Sequence, residues 1–203
     1  MAQKKSCTDA VDLYEDVLKC PGQKRLPGTR AYGWFIRRAY ITKLAEPQKE
    51  AATALKDYLV IKESHTLQAD KKWIRLEFIP DKSSMAPEAQ GEEGSKTMNN
   101  KATVVLPGTE EEQQAVASML LNDDVIVLVP QRNGKVRQFG DDAFTVNVTP
   151  SATTGASVTD ESNTTLEISV ACETMPPFYY GDIVTADGTY SGETCKLKTV
   201  SDA

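Results

Sequence analysis

The chain has a single histidine, His65, and its four cysteines, Cys7, Cys20, Cys172 and Cys195, form no C-x-x-C pair. A zinc centre needs nitrogen or sulfur ligands at short, characteristic spacings, so no metal site is expected. Any Ser-His-Asp or Cys-His relay would have to be built on His65, and no flanking motif supports one. A lone histidine of this kind reads as an exposed or hydrogen-bonded structural residue. The nucleophile elbow, the H-E-x-x-H pair, the phosphate-binding P-loop and the dinucleotide fingerprint are all missing. Neighbouring carboxylates do occur, at Asp123-Asp124, Asp141-Asp142 and Asp160-Glu161. Adjacent strand residues point to opposite faces and each pair borders a turn, so these read as caps rather than as acid–base partners. Neither enzymatic activity nor a cofactor is expected.

Long apolar runs are missing too. No stretch approaches the roughly 20 residues that a membrane-spanning helix needs. The start, Met1-Ala-Gln-Lys-Lys-Ser-Cys7, lacks the apolar centre of a signal peptide, which makes the cytoplasm the default place of synthesis. The cysteines are then expected as free thiols.

What the chain does have is strand signal. Val125-Ile-Val-Leu-Val129 is a continuous apolar run that predicts a strand covered on both faces. Asn133-Gly134 predicts a two-residue hairpin turn after it, with Lys135–Phe139 returning as partner. Two alternating strands follow, one on Phe144, Val146 and Val148, the other on Leu166, Ile168 and Val170. Earlier, Ala31–Ile41 and Lys71–Pro80 read as strands, the second placing Trp73, Arg75 and Glu77 on one side and Ile74, Leu76 and Phe78 on the other. Asp187-Gly188 turns a terminal hairpin. Helices are predicted from Thr8 to Cys20, over Pro47–Tyr58, and after a Thr109…Glu112 capping box that turns Val116, Met119 and Leu120 inward. The order predicts a mainly β fold: one domain over 1–203, a β-sandwich or barrel of antiparallel strands with a flanking α-helix. Residues 1–60 form an N-terminal extension and the first strands.

Charge is unevenly placed. Residues 1–75 are net basic and residues 76–203 strongly net acidic. An ordinary solvated surface accounts for this; so does a heterologous contact in which the basic front of one copy meets the acidic back of the next. Between Asp81 and Asn100 the chain is polar and nearly without apolar anchors, which predicts a long polar loop or inter-subunit arm. Its Glu88, Glu92, Glu93 and Lys96 are candidate inter-subunit contacts. Arg37 and Arg38 complete the set. They read as charges protecting a sheet edge, with phosphate binding the lesser alternative.

The succession Gly94-Ser-Lys96, Asn99-Asn-Lys101, Leu106-Pro-Gly-Thr109, Asn122-Asp-Asp124, Val125–Val129, Asn133-Gly134 and Phe139-Gly140 resembles structural proteins of tailed bacteriophages and prophages. Thr153-Thr-Gly155, Val158-Thr-Asp160, Leu166-Glu-Ile168 and Pro177-Phe-Tyr-Tyr-Gly181 continue the likeness, which spans about residues 65–182. It is a pattern of strands and turns, similar to the tail tube (major tail) proteins and to the inner tube of contractile injection systems. The resemblance implies a virion component, made in the host cytoplasm, whose self-assembled rings, typically hexameric, stack into a tube and meet other tail proteins. DNA would pass through without specific binding, and no membrane is involved. Head–tail connector, terminator or baseplate rings are alternatives on a related fold. A monomeric carbohydrate- or peptide-binding β-sandwich, using Trp34, Tyr179 and Tyr180 as an aromatic platform, is the alternative from another class.

Overall fold

The computed structural model describes residues 13–22 and 25–198. In chain order the strands are β1 (Tyr32–Arg37), β2 (Ile41–Lys43), β3 (Val60–Ile61), β4 (Thr66–Leu67), β5 (Ile74–Glu77), β6 (Ser84–Met85), β7 (Glu88–Gln90) and β8 (Thr97–Pro107). After helix α1 (Glu111–Leu120) come β9 (Val125–Pro130), β10 (Val136–Phe139), β11 (Asn147–Thr153), β12 (Asn163–Cys172), β13 (Phe178–Tyr179), β14 (Asp182–Thr185) and β15 (Gly188–Ser191).

Every residue of β9 is buried. Its position explains this, because β9 lies inside a six-stranded sheet ordered β3-β13-β10-β9-β1-β5 that is covered on both faces. Val125, Val127 and Val129 join Phe35, Phe78 and Phe139 in one core, while Ile126 and Leu128 join Trp34, Ile36 and Tyr179 in a second. The first core is closed by a five-stranded sheet ordered β11-β12-β8-β6, with β7 also on β8. That sheet contributes Ala102, Val104 and Leu106 from β8 and Leu166, Ile168 and Val170 from β12. Helix α1 plugs the same core with Ala117 and Leu120. The second core is covered by the β14–β15 hairpin and by the segments around β2 and β4, through Ile41, Ala45, Ile183 and Tyr190. The result is the expected mainly β sandwich of antiparallel sheets with one flanking helix, and one sheet is double-covered.

The β9–β10 hairpin forms where expected, but with a different turn. Gly134 alone takes a positive φ, +93°. The Gly134 N–H donates to the Gln131 carbonyl at 2.9 Å and the Gln131 N–H to the Lys135 carbonyl at 2.8 Å. This is a three-residue loop with a glycine bulge rather than a two-residue turn. The terminal hairpin also forms, closed at Thr185 and Gly188.

Several local expectations change. Pro47–Tyr58 holds two 3₁₀ turns, Lys49–Ala51 and Leu55–Asp57, in place of a helix. Its apolar residues give no continuous stripe to bury, and propensity without tertiary packing does not hold a short helix. Among residues 13–20 there is no helix; Val17 and Leu18 are exposed on extended chain. The remainder of that predicted helix, with Thr8 and Val11, lies outside the described residues. The Ala31–Ile41 strand breaks at Arg38, where a 3₁₀ turn (Arg38–Tyr40) separates β1 from β2. Around β5 the expected alternation places Leu76 and Phe78 on the first core, but Ile74 at its start is 51% exposed and Trp73 just before it is buried. The Thr109 hydroxyl bonds Ser162, and the N-cap is Glu110 without a side-chain bond, so the capping box does not close. Met119 points outward, and Ala117 takes the inward place assigned to it.

Candidate functional site

The segment expected as a long polar loop is strand at nine of its twenty residues. Ser84 and Met85 pair with Thr103 and Ala102, and Glu88–Gln90 pair with Asn99–Thr97, so β6 and β7 both lie along β8. Only residues 91–96 are left as a tip, turned by Gly91 and Gly94 at φ +95° and +89°. The composition concealed this because backbone pairing can satisfy the ladder with polar side chains, provided one longer strand is anchored elsewhere. β8 is that anchor, through its ten-residue pairing with β12.

The candidate contact residues divide. Glu88 pairs with Lys101 across the β7–β8 hairpin. Glu92, Glu93 and Lys96 sit together on the exposed tip and form no ion pair among the described residues. Arg37 and Arg38 are elsewhere and already committed within the chain. The Arg37 guanidinium grips Asp123 with Nε and Nη2 at 2.8 and 3.0 Å, and this bond raises its pKa. Arg38 bonds Asp142 and also donates to the Ile41 carbonyl at 2.9 Å. Since β1 lies between β9 and β5, it has no free edge to protect, and both arginines brace the turns at its end.

A second tip was hidden in the stretch before Leu166. β11 continues to Thr153, and its hairpin with β12 extends to Thr153 and Asn163. The loop beyond is held by Asp160, whose carboxylate accepts from the Ala156 and Ser157 N–H groups at 2.9 and 2.8 Å. Those backbone bonds lower its pKa. Because Asn163 pairs with Pro107 and Cys172 with Met98, the two tips project from opposite ends of the same sheet. Between them, the face turned away from the core is polar: Asn147, Thr149, Ser151 and Thr153 on β11, with Glu167 and Lys101 beside them, are all exposed. The edges are open at β11 on one side and at β6 and β7 on the other. Pro150, inside β11, has no N–H and interrupts the donor row there.

The chain matches no protein family, no curated protein and no solved structure.

His65 is buried and fully engaged. Its Nδ1 accepts from the Ala45 N–H at 3.0 Å, which leaves the neutral ring's proton on Nε2, 2.9 Å from the Gln138 carbonyl oxygen. The Gln138 amide in turn donates to the Gly140 carbonyl at 3.1 Å. The ring stacks on Tyr179 at 4.6 Å between centroids. Burial pulls the His65 pKa down to about 4 and pushes that of Tyr179 up to about 12. The Tyr179 hydroxyl accepts from the His65 N–H and donates to the Asp182 carbonyl. These groups tie the six-stranded sheet to its outer cover. Trp34 is 1% exposed and Tyr179 0%, so neither belongs to an exposed aromatic platform. Asp141 accepts from the Ala143 and Phe144 N–H groups, as a turn residue does. No group of three or more His, Cys, Asp or Glu side chains among the described residues is placed to hold a metal.

Proposed function

We propose that this chain is a structural subunit that assembles into rings, and that the rings stack into a tube of the phage-tail kind through which DNA passes. The observation that carries the reading is the five-stranded sheet. One face is sealed on the core, the other is largely polar apart from Val105 and Ala171, both ends extend into hairpin tips, and both edges are open. A sheet of that kind continues into a neighbour by main-chain hydrogen bonds, β7 of one copy against β11 of the next. A closed ring abolishes the exposed edges that otherwise invite uncontrolled pairing.

Repeated around a ring, the polar faces merge into an inner wall. That wall presents hydroxyls and amides, with Lys101 neutralised by Glu88 and Glu167 unpaired among the described residues. Phosphate binding at such a surface releases few counterions, so DNA is not held. The acidic tip carrying Glu92, Glu93 and Lys96 reaches toward the ring stacked on one end, and the tip around Val158 toward the other. Rotation of one patch onto a different patch gives heterologous contacts, which close into rings or propagate as tubes.

The test is replacement of Glu92–Ser95 by a two-glycine turn, read by sedimentation velocity. The reading expects the shortened protein to keep its circular dichroism spectrum and to form rings without stacking. Unchanged stacking would remove the tip from the account, and a wild-type chain that is monomeric at every concentration would remove the ring itself.

A further inference from the structure

A cleft of about 650 Å³ lies apart from the sheet surface just described. It lies between the 3₁₀ turn Lys49–Ala51, the loop after Gly140 and the segment following β12. Pro47, Ala51, Phe144 and Pro177 give it apolar walls. The same lining carries Glu46, Glu50, Asp141, Asp142 and Glu173 against Lys49. Within the chain Asp142 meets Arg38, Glu173 meets Lys49 at 3.0 Å, and Asp141 accepts from the Ala143 and Phe144 N–H groups. Even so, the rim is net acidic around an apolar floor.

A segment ahead of Thr29 has the opposite character. Val17-Leu-Lys-Cys-Pro-Gly-Gln-Lys-Arg-Leu26 contains three cations, no acidic residue and three large apolar side chains. Those side chains, Val17, Leu18 and Leu26, are 83%, 78% and 57% exposed. Exposed apolar residues on chain without secondary structure are costly unless something covers them. The segment's anchored end is at Thr29, which bridges Gln131, and at Gly28, whose carbonyl accepts from the Arg132 N–H at 3.0 Å. It therefore leaves from the turn between β9 and β10. The cleft lies past Phe139, at the opposite end of β10. The attachment point of the donor segment and the acceptor cleft sit at opposite ends of one strand, a placement that suits a head-to-tail contact.

We propose that the Val17–Leu26 segment of one copy docks in the Phe144–Pro177 cleft of a second copy. Val17, Leu18 and Leu26 lie against Pro47, Phe144 and Pro177, and Lys19 and Arg25 face Glu46 and Glu173. The contact rests on the assembly reading above and supplies it with a strap independent of sheet pairing.

The experiment places a benzophenone-bearing amino acid at Val17 and mixes this protein with an isotopically heavy copy lacking it. After illumination, mass spectrometry maps the linked peptides. Light-to-heavy links into residues 46–51, 141–144 or 173–177 are expected. In parallel, Lys19→Glu with Arg25→Glu is expected to raise the concentration for half-assembly about tenfold, two surface ion pairs being lost and repulsion added. Combining these with Glu46→Lys and Glu173→Lys in the same chain is expected to restore it. All four positions are exposed, so circular dichroism is expected to show the fold intact. Rings that form with links confined to single copies, or with no response to charge reversal, would overturn the strap and leave the assembly reading standing. A protein that never assembles would overturn both.

Discussion

Protonation of His65 should unfold this protein more readily than the titration of any ordinary surface histidine. Its pKa is held at about 4, against an ordinary value of 6.5, first because burial penalises the charged ring. The geometry adds a reason: a proton on Nδ1 would face the Ala45 N–H, donor against donor. The sign follows directly. Above pH 6.5 both folded and unfolded chains hold a neutral ring, and this contribution to stability is complete. As pH falls from 6.5 toward 4, the unfolded chain takes up a proton that the folded one refuses, and stability drops. Below about 4 both states are protonated and the loss levels off. The drop from 6.5 to about 4, at about 1.4 kcal/mol for each pH unit, amounts to about 3 kcal/mol. The assay is urea unfolding at neutral pH and near pH 4, for the wild type and for His65→Gln. Carboxylates titrate over part of the same range in both proteins, so the difference between the two pH slopes isolates the imidazole. His65 is the sole histidine, and its single imidazole resonance reports the pKa directly. A resonance titrating near 6.5, or parallel loss of stability in the two proteins, would refute the reasoning.

Other substitutions probe the two cores and the brace at the end of β1. A Cβ on Gly33 would sit 2.6 Å from Phe78 Cζ and 2.7 Å from the Leu128 carbonyl oxygen, and the latter cannot give way; Gly33→Ala should cost about 3 kcal/mol in chemical denaturation. Leu166 is fully buried in the core between the sheets, so Leu166→Ala should cost about 3 kcal/mol by the same measurement. Arg37 and Asp123 are partly exposed, with side chains 41% and 25% accessible; a double-mutant cycle on the pair should return a coupling of about 1 kcal/mol or less.

The sequence was most legible where burial is one- or two-sided and sustained. Val125–Val129 announced a doubly covered strand, and the Leu166, Ile168 and Val170 alternation announced a sheet with one wet face. It was least legible where partners decide the structure. Glu88–Gln90 carries no strand signal and is a strand only because β8 lies beside it. Arg37 and Arg38 resembled edge charges because nothing in the local pattern reveals that β5 will pair outside β1 and that Asp123 and Asp142 will close on them. Pro47–Tyr58 has helix-forming residues, but only Ala52 of it is buried, outside both cores, and the chain turns instead. Composition placed Glu92, Glu93 and Lys96 in a polar loop, and they lie on the exposed tip between β7 and β8. The opposite tip and the polar face of β11 follow from register, which composition does not contain.

Electron microscopy of negatively stained protein at rising concentration distinguishes a ring-forming subunit from a monomer. Rings with an open centre that stack into tubes as concentration increases are expected. Particles that remain single sandwich-sized monomers throughout would contradict the proposed assembly.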